Sequence, residues 1–426
     1  MPEPASIPVT GLRRNMPFLG FITGNAVSLL GDAFRGFTLT LWVYEASGGL
    51  GLAVSALVLV QLLPSVLAGA MVGAFIDKWP DRRKILIVCD IARAVTGAGL
   101  IYCAYTNNIL VCLFLVASSA SVSVFASVAG MTLIPQLVPD DQLERSNSIW
   151  SIIEQLSFVV GPAAAAVSYT LWGPGPAFLL DASSFVMSAV ILAIALPKQS
   201  RITNGPTQEL EAASPSLHRS IAQGLRYLQQ DKMIRAAVLT FSLRALSAGI
   251  NNTVMIFFIA ESLRRQSADL AWLGATNGVV QMVIGGVLIA AASKLRLPAN
   301  IRAGAATMAT GGLVIASAPN LLVLILGTVI TSIGNAPVNI SHNVLEQRYV
   351  PIGLLGRVRG LQATLTPLAF LVASTASGAM VNVVGARPIL IGSAALLLAA
   401  MFVTELGVLT RLRARSRDEP STPDKH

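Results

Sequence analysis

The sequence predicts an all-α integral membrane protein, twelve transmembrane helices arranged as two pseudo-symmetric six-helix bundles. Three observations carry that expectation. Of 426 residues, 54% are hydrophobic and only 12% charged, with a mean hydropathy of +0.68. No soluble domain hides that much apolar surface. The apolar residues fall into runs of about twenty, the length that crosses the hydrocarbon layer as a helix. Finally, Gln136-Leu-Val-Pro139-Asp-Asp-Gln-Leu143-Glu-Arg145 is echoed 212 residues on by Arg348-Tyr-Val-Pro351-Ile-Gly-Leu-Leu355-Gly-Arg357. Each copy follows the fourth span of its half, which points to a tandem duplication.

The runs lie near 18–44, 51–76, 85–105, 109–133, 148–171, 177–196, 236–259, 271–293, 303–318, 320–342, 361–383 and 387–409. Met1 to Asn15 lacks the apolar core and small-residue cleavage site of a signal peptide, so the first run is expected to stay as a helix. Only the Ala318-Pro319-Asn320 turn separates the ninth and tenth. The expected organisation is a cytoplasmic N-terminus 1–17, a bundle 18–196, a linker 197–235, a second bundle 236–409 and a tail 410–426. Within the linker, Thr203-Asn204-Gly205-Pro206 and Ser214-Pro215-Ser216 read as flexible. His218 to Arg235 then reads as a helix with Ile221, Leu225 and Leu228 on one face and Arg219, Arg226, Lys232 and Arg235 on another, suited to the membrane surface. The tail is basic, then polar, and is expected to be disordered.

Asp77-Lys-Trp-Pro-Asp-Arg-Arg-Lys84 packs six charges into eight residues between two apolar runs and must lie at a membrane surface. With both termini cytoplasmic, 24 of the 30 Lys and Arg fall on the cytoplasmic side. Three lie outside (Arg264, Arg265, Arg387) and three within spans (Arg35, Arg93, Arg244). The positive-inside rule therefore settles the topology and explains the net charge of +9. Nucleic acid is not an expected partner, because no long basic face interleaved with aromatics is present. Cys89, Cys103 and Cys112 are odd in number and lack metal-ligand spacing, so neither a disulfide framework nor a metal site is expected. Packing is the expected role of all three, although Cys103 and Cys112 flank one turn.

Charges inside membrane helices are costly and mark a cavity or a partner. Asp32 is near the middle of span one, and Arg244 occupies the equivalent position of span seven, 212 residues on. They are expected to face one central cavity from opposite halves; the alternative is local pairing of Asp32 with Arg35. Asn25, Ser28, Asp32 and Arg35 share one helical face. Thr328, Thr331, Asn335, Asn339 and His342 form a similar stripe on span ten, Arg244, Ser247 and Asn251 on span seven, and Ser119, Ser123 and Ser127 on span four. Small polar residues often serve packing alone, but Asn335, Asn339 and His342 need partners or water. Asp90 and Arg93 can pair at i, i+3 as a structural or gating ion pair. Glu154 precedes Gly161-Pro162, which removes a backbone hydrogen bond and allows span five to bend or pack closely. No phosphate loop, HExxH, GxSxG or paired carboxylates with a nucleophile occur, so no enzyme activity and no cofactor are expected.

Gly73-Ala-Phe-Ile-Asp77-Lys78, followed by Arg82-Arg83-Lys84, resembles the loop two–three signature of the major facilitator superfamily. The whole chain is similar to its branch of bacterial exporters that includes macrolide-efflux and enterobactin-exporter proteins. Asp90 and Arg93 after the signature, Ser28-Leu-Leu-Gly31-Asp32, Leu133-Ile-Pro-Gln-Leu-Val-Pro139 and Gly161-Pro162 add to the likeness. Pro80-Asp81 departs from the commoner signature, and Ile152 and Ala165-Ala166 stand where the antiporter motif has glycines. The resemblance implies the major facilitator fold, with helices one, four, seven and ten lining a cavity and an ion gradient driving transport. It implies that Asp77 caps a helix of the second half and that Arg82, Arg83 and Lys84 hold the loop to carboxylates or lipid headgroups. The expectation is a monomeric exporter in a bacterial inner membrane, contacting lipids. It would exchange a small amphipathic organic compound, such as a drug, antibiotic or siderophore, for protons. Asp32 is its expected proton-linked carboxylate, and Arg244 serves an anionic group or releases Asp32. The rivals are an importer or lipid transporter of the same fold and a non-transporting membrane sensor.

Overall fold

The computed structural model describes residues 14–77, 79, 81–197, 232–290, 297–350 and 352–418. Among these are twelve long helices and no strand. They are α1 (Met16–Ala46), α2 (Gly51–Asp77), α3 (Arg82–Thr106), α4 (Ile109–Leu137), α5 (Leu143–Trp172) and α6 (Pro174–Ala195). The second set is α7 (Lys232–Phe257, continued by a π turn to Ser262), α8 (Leu270–Ala290), α9 (Leu297–Ser317), α10 (Leu321–Tyr349), α11 (Ile352–Val384) and α12 (Ala386–Asp418). Seven contain a window long and apolar enough to cross a membrane. Outside that set is α1, where Asp32 and Arg35 sit mid-helix. The linker's expected surface helix lies almost wholly outside the described residues. Where the tail was expected to leave the helix near 409, α12 continues through Asp418; Arg411-Leu-Arg-Ala-Arg415 is made of good helix formers.

The duplication is written in the helix ends. Asn108 caps α4 by accepting from the Val111 amide at 3.1 Å, and Asn320, 212 residues on, caps α10 through Val323 at 3.0 Å. Gly173, between α5 and α6, has φ +76, and Gly385, between α11 and α12, has φ +84. Both turns demand a left-handed residue, which glycine supplies without strain. The helix pairings repeat as well. In the first half α1 packs on α5 and α6, and α3 on α4 and α6; in the second, α7 packs on α11 and α12, and α9 on α10 and α12.

The chain divides into two compact units, Met1–Gly205 with Arg265–Gly278 and Pro206–Arg264 with Val279–His426. The first is cored by Phe18, Phe21, Leu133 and Leu192, with Trp150 stacked on Phe21 at 5.9 Å. Ile234, Val238, Met308 and Val338 core the second. The three cysteines are free and buried.

Candidate functional site

Five charged side chains meet inside the first unit. α1 supplies Asp32 and Arg35, α3 supplies Asp90 and Arg93, and α6 supplies Asp181. The i, i+3 spacing puts both members of each pair on one helical face. Arg35 Nη2 donates to Asp32 Oδ1 at 2.5 Å, and its Nη1 donates to Ser119 Oγ of α4 at 2.9 Å. Arg93 Nη1 crosses to Asp32 Oδ2 at 3.1 Å, while its Nη2 donates to Asp90. The other Asp90 oxygen accepts from Ser188 of α6 at 2.7 Å. The Phe185 ring lies 5.2 Å from the Arg35 guanidinium carbon and 4.5 Å from that of Arg93, so its negative face serves both cations. Asp32 is therefore shared between two arginines, and the Asp90–Arg93 pair is one arm of a larger cluster.

Asp181 is the member that sequence reasoning missed. Its nearest cation is Arg35 Nη1, at 3.8 Å from Oδ2, and neither of its oxygens has a hydrogen-bond partner. The signal was present, since Phe178-Leu-Leu-Asp181-Ala-Ser-Ser-Phe185 places a carboxylate inside an apolar run, the same rule that picked out Asp32. Its packing explains its isolation. Gly31 of α1 and Gly97 of α3 bring their backbones against α6 beside it. A Cβ on Gly31 would collide with Ser184 Oγ, and one on Gly97 would press on Ala182 at 3.1 Å.

Asp32 borders a cleft of about 500 Å³, with Arg35, Gln61 and Ser65 of α2, and Ser123 and Ser127 of α4 also on its walls. Its side chain is 29% exposed, against 0% for Asp181. One carboxylate of the cluster thus faces open space, and another is sealed behind it. The volume falls in the range of small-molecule sites.

The second unit has its own polar centre. Arg244 of α7 donates from Nη2 to Asn335 Oδ1 and, at 3.0 Å, to Asn339 Oδ1, both on α10. Asn335 Nδ2 in turn donates to Gln281 of α8 at 3.1 Å. Phe241 lies 5.0 Å from the guanidinium carbon. Nε and Nη1 of Arg244 are buried without partners, and among the described residues no acidic side chain acts on it. His342 joins this centre through Phe241, whose ring lies 3.9 Å from its own at a tilt of 32°, and its Nε2 is 2.9 Å from Gln362 Nε2. Asn251 is elsewhere again. Its Nδ2 donates to Ser247 O at 2.8 Å and Ser393 Oγ at 2.7 Å, tying α7 to α12.

Two arginines of the charged loop reach backbone carbonyls. Arg82 donates to the Ile76 and Trp79 carbonyls at the end of α2, and Arg83 to Ala193 O near the end of α6 at 2.5 Å. Helix ends leave carbonyls without intrahelical partners, and arginine reaches them. Lys84 reaches a carboxylate, Asp81 at 3.4 Å, and Asp81 also caps α3 through the Lys84 amide. That gives Asp81 a role. Gly73 and Asp77 lie in α2, and their surroundings fall outside the described residues. Gly161 and Pro162 sit within a continuous α5, where Gly161 lets the helix close on Ala33 of α1, beside Asp32.

Two matched six-helix sets with ionisable residues buried mid-span define a multi-pass membrane protein with a polar interior. The Major Facilitator Superfamily model matches residues 21–365, and the chain belongs to that family. It is 26% identical over 232 residues to macrolide efflux protein A of Streptococcus pyogenes, a match covering 54% of this chain and 55% of that protein. The chain thus spans about half the length of that relative. An uncharacterized MFS-type transporter of Bacillus subtilis, YfiS, is 24% identical over 407 residues, covering 93% and 94%. Multidrug efflux pump Tap of Mycobacterium tuberculosis is 25% identical over 339 residues, covering 73% and 75%. Among solved structures, the nucleoside transporter NupG aligns with a TM-score of 0.71 at 13% identity, covering 92% of this chain and 99% of that one. An inward-facing bacterial homologue of ferroportin aligns with a TM-score of 0.70 at 15%, covering 93% and 99%. At such identities these structures show the fold alone.

Proposed function

We propose that the protein is a secondary active exporter of a small amphipathic organic compound (a drug, antibiotic or siderophore), working by alternating access in exchange for protons. The observation that carries this reading is Asp32, half-exposed on a cleft of about 500 Å³ and tied to two arginines behind it. A carboxylate so placed can answer both an occupant and a proton. In the second unit, Arg244 with two unpartnered nitrogens suits an anionic or strongly accepting group of the cargo. The efflux names among the relatives agree with export. The charge bias supports a bacterial inner membrane with both termini cytoplasmic, and we expect a monomer.

Reconstituted vesicles with an imposed pH gradient test this, using a macrolide and ethidium as probes. Asp32→Asn should abolish gradient-driven flux. Arg244→Gln should lower flux about tenfold, the worth of one charged contact of about 1.4 kcal/mol. Wild-type rates in both variants, or no gradient-driven flux of either probe in the wild type, would overturn the assignment.

A further inference from the structure

The cluster of the first unit does not balance. Among the described residues Asp32, Asp90 and Asp181 face only Arg35 and Arg93, so with all five ionised the cluster carries one excess negative charge inside the membrane. Both arginines are already engaged: Asp32 takes a hydrogen bond from each, and Asp90 takes one from Arg93 and one from Ser188. Asp181 takes none. An ionised carboxylate with no exposure and no donor is far costlier than a neutral one.

The charges that act on Asp181 are Arg35 and Asp32 from α1 and Arg93 from α3, with Asp90 beyond Arg93. Among the described residues none comes from α5, the other helix packed on α6. The fold gives no structural reason for an acid here. The residue 212 positions on from Asp181 is Ser393, and the one 212 positions on from Arg35 is Ser247. In the second unit these serines share a hydrogen bond at 2.8 Å, bridging α7 and α12 as α1 and α6 are bridged. Two hydroxyls therefore suffice for this helix contact.

We propose that Asp181 is the proton-carrying carboxylate of the protein, and that Arg35 is a switch between Asp32 and Asp181. With Asp181 protonated, the cluster is neutral and Arg35 binds Asp32, the arrangement seen here. When Asp181 releases its proton to the cleft, its new charge draws Arg35 Nη1 across the 3.8 Å gap. Asp32 then keeps Arg93 but has a free oxygen facing the cleft. The proton count is one released for one carboxylate uncovered. This relocates the proton site of the proposed exporter from Asp32 to a residue sealed behind it, and rests on that reading only for the use made of the proton.

Infrared difference spectra of the full chain in liposomes, recorded between acid and alkaline pH without substrate, test it. The wild type should show one protonated-carboxyl C=O band that bleaches as pH rises. Asp181→Asn should remove the band, and Asp32→Asn, which frees Arg35 for Asp181, should keep the band but move its bleaching to lower pH. Asp181→Glu, which keeps the acid should the amide fail to fold, should move its frequency. Arg35→Gln should move the pH at which it bleaches. The site is overturned by no titrating band in the wild type, by a band surviving Asp181→Asn, or by an unshifted band in Asp181→Glu. An unmoved midpoint in Arg35→Gln overturns the switch. Vesicles that transport without a proton gradient would sink the proposed function while leaving this band in place.

Discussion

Three of the five charged helix positions that meet in the first half of this protein are uncharged in the second. Arg35 and Asp181 of the first half become Ser247 and Ser393, Arg93 becomes Ala305, and Ser123 and Ser127 become Asn335 and Asn339. Two positions keep a charge but reverse it, Asp32 becoming Arg244 and Asp90 becoming Arg302. In the second half, hydroxyls and amides satisfy one another, Ser247 with Ser393 and Asn251, and Thr240 with Thr404 at 2.9 Å. Arg244 stands among amides, donating to Asn335 and Asn339. In the first half, five ionisable groups are pressed together at a cost in desolvation. The scaffold evidently does not need those charges to close its helices. That is why we assign ion coupling to the first half.

The largest stability effect should come from breaking the charged half. Arg93→Ala introduces the residue the second half carries, yet leaves Asp90 and part of Asp32 without a cation. Loss of a buried partner of this kind costs about 3–5 kcal/mol. Thermal unfolding in detergent should show the variant strongly destabilised, whereas a wild-type midpoint would mean the cluster is solvated. At the small end, Ser393→Ala removes hydrogen bonds to Ser247 and Asn251 and should cost about 1 kcal/mol. Its gradient-driven flux should stay at the wild-type rate. A loss of flux there would place coupling in the wrong half.

Much of the fold was legible because membrane burial is read by length and hydropathy alone. The fourth and tenth helices end in matched register, and the Asn108 and Asn320 caps and the Gly173 and Gly385 turns follow from backbone chemistry that leaves residue-type traces. The site was legible in part. Helical spacing pointed to Asp32 and Arg35 on one face and Asp90 and Arg93 on another, because i, i+3 pairs are local. Spacing within one helix carries no information about which helices meet. So the bond from Arg93 to Asp32, the stitch from Arg244 to Asn335, and the approach of Asp181 through Gly31 and Gly97 became visible only in the packed structure. The partners of His342 and Asn251 were hidden for the same reason. Their stripes suggested a lining, and each meets a partner on a neighbouring helix, Gln362 for one and Ser393 for the other.

The claim that charge in the first half does the coupling has one direct measurement. Two double variants are compared in vesicles, Arg35→Ser with Asp181→Ser, and Ser247→Ala with Ser393→Ala, each assayed for probe efflux with and without a pH gradient. The first gives the charged half the hydroxyls of its counterpart, so it should fold but lose the gradient-dependent flux while keeping passive exchange. The second should keep both. Gradient-dependent flux at the wild-type rate in the Arg35/Asp181 double variant would contradict the account.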